Sequence, residues 1–261
     1  MYLFICEDSI DGIFTGVYDA FASRYGHANI ALTTYEPENY TLFHQYIQVP
    51  VDNVKSEKVA RTLQQRLGIE VYGELCQAAC ALTSKDSQTA PRSKADSIYR
   101  TIVLAFSLLD GSKVLNYLGE PYVNHVFQLC RATGNEAHHF LGFLRFQELE
   151  HGILFAKIHP KNDVLPLLAD HFADRLPMEN FMIYDETHQK AALHKKGAYF
   201  LITDTQSLDE SVLTCLSVDE IEYQKLWRGF FESITIEARK NPGLQNQNIP
   251  KHFQKDMAEF R

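Results

Sequence analysis

The apolar residues of this 261-residue chain change period near its midpoint, and that change restricts the folds open to it. Up to residue 131 they recur at helical spacing. Ile13, Val17 and Phe21 lie four apart; Ile98, Ile102, Ala105, Phe106 and Leu109 form a stripe; Val123, Val126, Phe127 and Cys130 repeat it. From Phe140 onward, Phe140, Gly142, Leu144 and Phe146 alternate with Leu141, Phe143 and Arg145, the spacing of a strand. A turn at Glu150-His151-Gly152 then leads into Ile153–Ile158, which predicts a hairpin. Helices first and strands after make an α+β chain. The expected architecture is a helical N-terminal half with short strands. The C-terminal half then holds an antiparallel sheet, a hairpin–helix unit and a long C-terminal helix.

Local signals supply the elements. Tyr2–Cys6, Ile30–Thr34 and Tyr46–Val49 read as short strands, and Ile10–Ser23, Val54–Leu67 and Glu70–Leu82 as helices. The polar, turn-rich segment Thr83–Pro91 reads as a linker or long loop. It divides the chain into residues 1–85 and 86–261, unless the fold is continuous. Ser93 and Asp96 form a capping pair for the next helix. Asp163 is placed to cap a helix running to Leu176, with Pro166 in its first turn. Strands are expected at Asn180–Tyr184 and within Ala191–Thr203. Ser217 and Glu220 make a capping box for a helix to Lys240, stopped by Asn241-Pro242-Gly243. On that helix Tyr223, Trp227, Phe230, Phe231 and Ile234 read as a core stripe.

Composition narrows the function classes. A hydrophobic fraction of 45% supports a real core. No run reaches the roughly 18 apolar residues of a membrane span. The start, MYLFICEDSIDG, lacks a basic leader region, so a cytoplasmic protein without membrane contact is expected. The five cysteines are scattered and odd in number, as reduced thiols would be; Cys76 and Cys80 share a helix face. A net charge of −8 argues against coating nucleic acid by bulk electrostatics. The charge is uneven, however: +3 over residues 225–261 and −11 over the rest. There is no phosphate-binding P-loop, no GxGxxG, no GxSxG elbow, no CxxxCxxC and no zinc-deaminase signature, so no cofactor is expected.

The candidate chemistry concentrates between His138 and Arg175, which holds His138, His139, His151, His159 and His171. His171, Asp174 and Arg175 stand at i, i+3 and i+4 of the expected helix and share a face. A carboxylate beside His and Arg orients an imidazole or holds a guanidinium, as acid–base and phosphate sites need. A local ion-pair cluster has the same spacing. Arg145, inside an apolar strand pattern, must meet an anion or a carboxylate. His138 and His139 are adjacent, with no HExxH pattern, so no metal is expected. His151 and His159 fall at turns. Lys225, Arg228 and Arg239 lie away from the aromatic stripe and suit phosphate, an acidic partner or water.

At these residues the chain resembles a family of bacterial proteins described as probable DNA metabolism proteins. The runs that carry the resemblance are GFLRFQEL (Gly142–Leu149), VLPLLADHFADR (Val164–Arg175), IYD (Ile183–Asp185), WRGFFESITIEARKNPGLQ (Trp227–Gln245) and IPKHF (Ile249–Phe253). It covers roughly residues 85–255, and the opening YLFICEDSIDG is similar to the start of longer members. The resemblance implies a context in DNA repair or modification beside a radical-SAM protein; related domains occur fused to uracil-DNA-glycosylase-like domains. An iron–sulfur cluster would then belong to the partner. Matched position by position, the family motif points to His138, Arg145, His171, Asp174, Arg175, Tyr184, Asp185, Trp227, Arg239 and Asn241. The chain departs from the pattern at His139, at Lys161-Asn162-Asp163 (commonly Asp-His-Asn) and at Phe253 (commonly Trp).

Three functions follow as expectations. The first is an accessory protein of DNA repair or modification that binds DNA or its radical-SAM partner through His138, Arg145, Tyr184, Asp185, Arg228, Arg239 and Asn241. The second is a nucleotide- or DNA-acting hydrolase or glycosylase-like enzyme. Its acid or base would be His171, oriented by Asp174, with Arg145 and Arg175 as anion clamp. The third is an interaction module held together by the same ion pairs.

Overall fold

The computed structural model describes residues 1–37, 40–82, 93–205, 213, 215–255 and 257–260. They form two compact units, Met1–Gly134 and Asn135–Arg261. The expected linker at 83–91 lies outside the described residues.

The first unit contains β1 (Tyr2–Cys6), α1 (Ile10–Ser23), β2 (Ile30–Thr33), β3 (Gln45–Val49), α2 (Asn53–Leu67), α3 (Ile69–Ala79) and α4 (Lys94–Ser107). The helix α5 (Pro121–Phe143) begins in it. The strands form a parallel sheet in the order β2-β1-β3. The tight exit from β1 is written in SIDGIFTG. Ser9 caps α1 by accepting from the Gly12 amide, 3.0 Å away. A Cβ at Gly12 would lie 2.4 Å from the Glu7 carbonyl oxygen, and one at Gly16 2.1 Å from the Cys6 sulfur. Only glycine lets the helix lie this close to the strand. Ile13, Phe14 and Val17 then enter the core. Ser93 caps α4 as expected, but the Asp96 carboxylate accepts from the Leu32 amide, tying α4 to β2.

The second unit contains the end of α5, β4 (Gln147–Leu149), β5 (Ile153–Ile158), α6 (Leu165–Arg175), β6 (Phe181–Asp185), β7 (Lys190–His194), β8 (Phe200–Asp204), α7 (Val218–Ile234), α8 (Pro242–Asn248) and α9 (Lys251–Gln254). Its sheet runs β4-β5-β6-β7-β8. The class is mixed α and β, as expected, but the sheet is not purely antiparallel. α6 carries the chain back so that β5 and β6 pair in parallel, while the other pairs are antiparallel.

Four local expectations are corrected. Residues 140–143 are the last turn of α5, not a strand. Nearly every residue from 140 to 146 is apolar, so alternation there has no phase, whereas Ala137, Phe140, Leu141 and Leu144 continue a helical face into the core. The hairpin itself is real, but its strands are β4 and β5, and His151 and Gly152 turn it at φ of 75° and 73°. Asp163 does not cap α6; Val164 stands there without a side-chain cap, and Asp163 pairs with Lys190 at 2.7 Å. α7 stops at Ile234 instead of Lys240, where the β-branched run Ile234-Thr235-Ile236 disfavours helix. Its aromatic stripe is not core, since no residue of α7 is buried.

Candidate functional site

The residues singled out in the sequence do not meet at one point. His138 is exposed on α5. His171, Asp174 and Arg175 share the outer face of α6, all exposed, and no hydrogen bond or ion pair joins them among the described residues. Asp174 lines a shallow cavity of about 350 Å³ with His194 and Tyr199. Arg145 lines a different one, and His171 and Arg175 line none of the described cavities. The convergence that a hydrolase built on these four side chains would need is missing from these cavities. Tyr184 is buried against Phe155, Met182 and Ala191. Asn241 is occupied in capping α8, accepting from the Leu244 amide at 3.0 Å.

Two places gather polar groups. The first is the carboxyl edge of the parallel pair β5/β6, where ligands of α/β sheets commonly sit. Asp185 ends β6 and is fully buried, at 0% exposure. Its carboxylate accepts from the Thr187 amide (2.9 Å), the His188 amide (3.0 Å) and the His188 ring nitrogen Nδ1 (2.6 Å). That bond raises the His188 pKa above its ordinary value, against the opposing effect of burial. Asp163, Asp185 and His188 each bring one ligand atom within 4.8 Å of the others, a carboxylate–imidazole set suited to a divalent cation. The Lys190 ammonium already holds one oxygen of Asp163. Beside them Glu186 bridges Lys157 and His159, which lowers its pKa, chiefly through the Lys157 bond. Sequence reading pointed to Asp185 but missed His188 and gave Asp163 another role. The signal was the local spacing Asp185-Glu186-Thr187-His188, which puts an imidazole within reach of a strand-end carboxylate.

The second place is a groove along α7. Arg145 follows α5, and its guanidinium donates to the carbonyls of Gly142 (3.0 Å) and Leu144 (3.3 Å) and to Glu259 Oε1 (3.1 Å). Glu259 lies in a 3-10 turn, Ala258–Phe260, with its side chain only 6% exposed. Its other oxygen, Oε2, is buried and has no hydrogen-bond partner among the described residues. Arg145, Glu220, Tyr223, Gln224, Trp227 and Glu259 line a cavity of about 400 Å³. A second cavity of about 790 Å³ shares Glu259 and is lined by Phe231, Arg239, Lys240 and Asn241. Trp227 and Tyr223 stay 45% and 69% exposed at the rim. Glu220 fastens α7 to β4 by accepting from the Glu148 amide, and it also accepts from Gln224. Of the residues matched to the family motif, Arg145, Trp227, Arg239 and Asn241 line these two cavities. Glu259 had no signal in the sequence, because its partner lies 114 residues away.

The first unit offers less chemistry. Its cavity of about 390 Å³ is walled by Val17, Phe21, Leu63, Ile102 and Phe106. Burial pushes the Cys6 thiol up to about 12 and the Cys76 thiol up to about 11, which leaves both unreactive. None of the described helices is long and apolar enough to cross a membrane.

In comparison with known proteins, the model of a family described as a domain of unknown function (DUF4130) matches residues 92–259. No curated protein matches the chain.

Proposed function

The chain belongs to the DUF4130 family, and from that premise we propose that it is an accessory protein of DNA repair or modification. It works beside a radical-SAM protein and contacts single-stranded nucleic acid through the α7 groove. One observation carries this reading: Tyr223, Trp227 and Phe230 stand exposed on one helix, Tyr223 and Trp227 line a cavity with Arg145, and Arg239 lines the adjoining cavity that shares Glu259. Exposed aromatic rings next to guanidinium groups are the working parts of a base-stacking platform with phosphate contacts. The positive balance of residues 225–261 on an otherwise acidic chain confines the attraction to this region.

The test is binding of single-stranded, mismatched and duplex DNA at several salt concentrations, alone and with the radical-SAM partner. Single strands are expected to bind best, with affinity falling as salt rises. No binding at any salt, in either setting, removes the DNA contact. A second reading, an enzyme acting on nucleotides, is favoured by the buried Asp185 that orients His188. It moves the acid–base role from His171 to His188 and requires that His188→Gln abolish whatever turnover a nucleotide screen finds.

A further inference from the structure

We propose that the α7 groove takes one unpaired guanine base, stacked on Trp227, with its N1–H and N2–H donors turned to the carboxylate of Glu259. The inference rests on the nucleic-acid reading above and adds the identity of the base. Trp227 and Tyr223 are one helical turn apart and present their rings at the rim of the 400 Å³ cavity. Stacking alone accepts any base, because every base has a π-face. Selectivity must come from the polar wall.

That wall holds two carboxylates, Glu220 and Glu259, beside the donors of Arg145 and Gln224. Both oxygens of Glu220 are occupied, one by the Glu148 amide and one by Gln224. Glu259 holds Arg145 with one oxygen, and the other is buried and unpartnered among the described residues. A buried carboxylate oxygen without a donor is costly, and a ligand that supplies one removes that cost. An ionised carboxylate can only accept. Thymine and uracil offer it a single N–H flanked by two carbonyl oxygens, which repel it. Adenine and cytosine offer an amino group beside an acceptor nitrogen. Guanine alone offers two adjacent donors on its pairing edge. Arg145 balances the charge of Glu259, and Arg239, which lines the adjoining cavity, would meet the phosphate of a strand that continues into it.

Trp227 is the only tryptophan, so its emission reports on the site directly. The full chain is titrated with GMP, IMP, AMP, CMP and UMP, and with oligothymidylate lacking or carrying one central guanine. The expected result is quenching by GMP at concentrations about tenfold below those of AMP, CMP and UMP. IMP, which lacks the 2-amino group, should bind several-fold more weakly than GMP. Glu259→Gln should bring the nucleotides to within about twofold of one another. Equal affinities for all five nucleotides, IMP equal to GMP, or a guanine preference that survives Glu259→Gln overturns the guanine assignment. Salt-dependent binding of plain oligothymidylate would then still uphold the broader reading. If neither oligonucleotide binds, both fall. The IMP comparison uses the unaltered protein, so the proposal stays testable if the substitution disturbs folding.

Discussion

α6 and α7 belong to the same unit and carry similar amphipathic patterns, yet they use them in opposite ways. α6 buries Leu165, Leu168, Ala169 and Phe172 and turns His171, Asp174 and Arg175 outward. α7 docks through polar groups in its first turn, where Ser217 and Glu220 bond to the backbone of Glu148, and leaves Tyr223, Trp227, Phe230 and Ile234 exposed. The connections explain the difference. α6 is the crossover between parallel strands β5 and β6, so its apolar face must cover the sheet. α7 is no crossover between paired strands: it meets β4 at its first turn and the Ala258–Phe260 turn further along, where Phe231 faces Phe260, and covers no sheet among the described residues. Periodicity says that a face is apolar; connectivity decides what meets it.

The largest expected effect tests that contrast in stability. Leu165→Ala removes a fully buried side chain and should cost about 2–5 kcal/mol. Trp227→Ala, on the exposed face, should stay within about 0.5 kcal/mol. Urea denaturation followed by circular dichroism measures both. A Trp227→Ala loss as large as that of Leu165→Ala would make α7 a core helix and end the contrast.

The next effect reverses the ranking. In binding to single-stranded DNA, Trp227→Ala should lose about 1–3 kcal/mol, the usual worth of a stacked base. Asp174→Ala, on the outer face of α6, should change nothing. Anisotropy of a labelled oligonucleotide reads both; equal losses would place the contact elsewhere.

These two helices also show how far the sequence could be read. β1 and α1 were legible to the residue from their apolar spacing, and the cap at Ser9 and the glycines at 12 and 16, found in the structure, agree with it. The segment 140–146 was misread because an almost wholly apolar run fits either period. The parallel pairing of β5 with β6 joins strands separated by α6, and no local signal specifies it. Site residues divide the same way. Arg145 and Trp227 could be named from the chain, but their grouping around Glu259 arises only in the folded unit. The partnership of Asp185 with His188 was local and was within reach of sequence reasoning.

A smaller effect separates the two edges of the unit by pH. The folded pKa of His188 is raised above 6.5 by its bond to Asp185. Its contribution is therefore full below pH 6.5 and is lost as pH rises through the raised value. Thermal melts from about pH 6 to about pH 9 should show the unaltered chain losing its advantage over His188→Gln as pH rises. A difference independent of pH would mean that the pair does not titrate with folding.

The smallest expected effect falls on the residues most prominent in the sequence. His171→Ala and Arg175→Ala should each change stability by no more than about 0.5 kcal/mol. Both side chains are exposed, and neither forms an ion pair among the described residues, so their removal strands no buried charge and opens no cavity. A purely structural module built on a His171–Asp174–Arg175 cluster requires the opposite, a loss of a kilocalorie or more from each. Denaturant midpoints of the two single variants and of the double variant decide the matter. Additive, near-zero changes leave the outer face of α6 free of structural duty, whereas a coupled loss in the double variant would show that the i, i+3, i+4 spacing forms a working ion pair in solution after all.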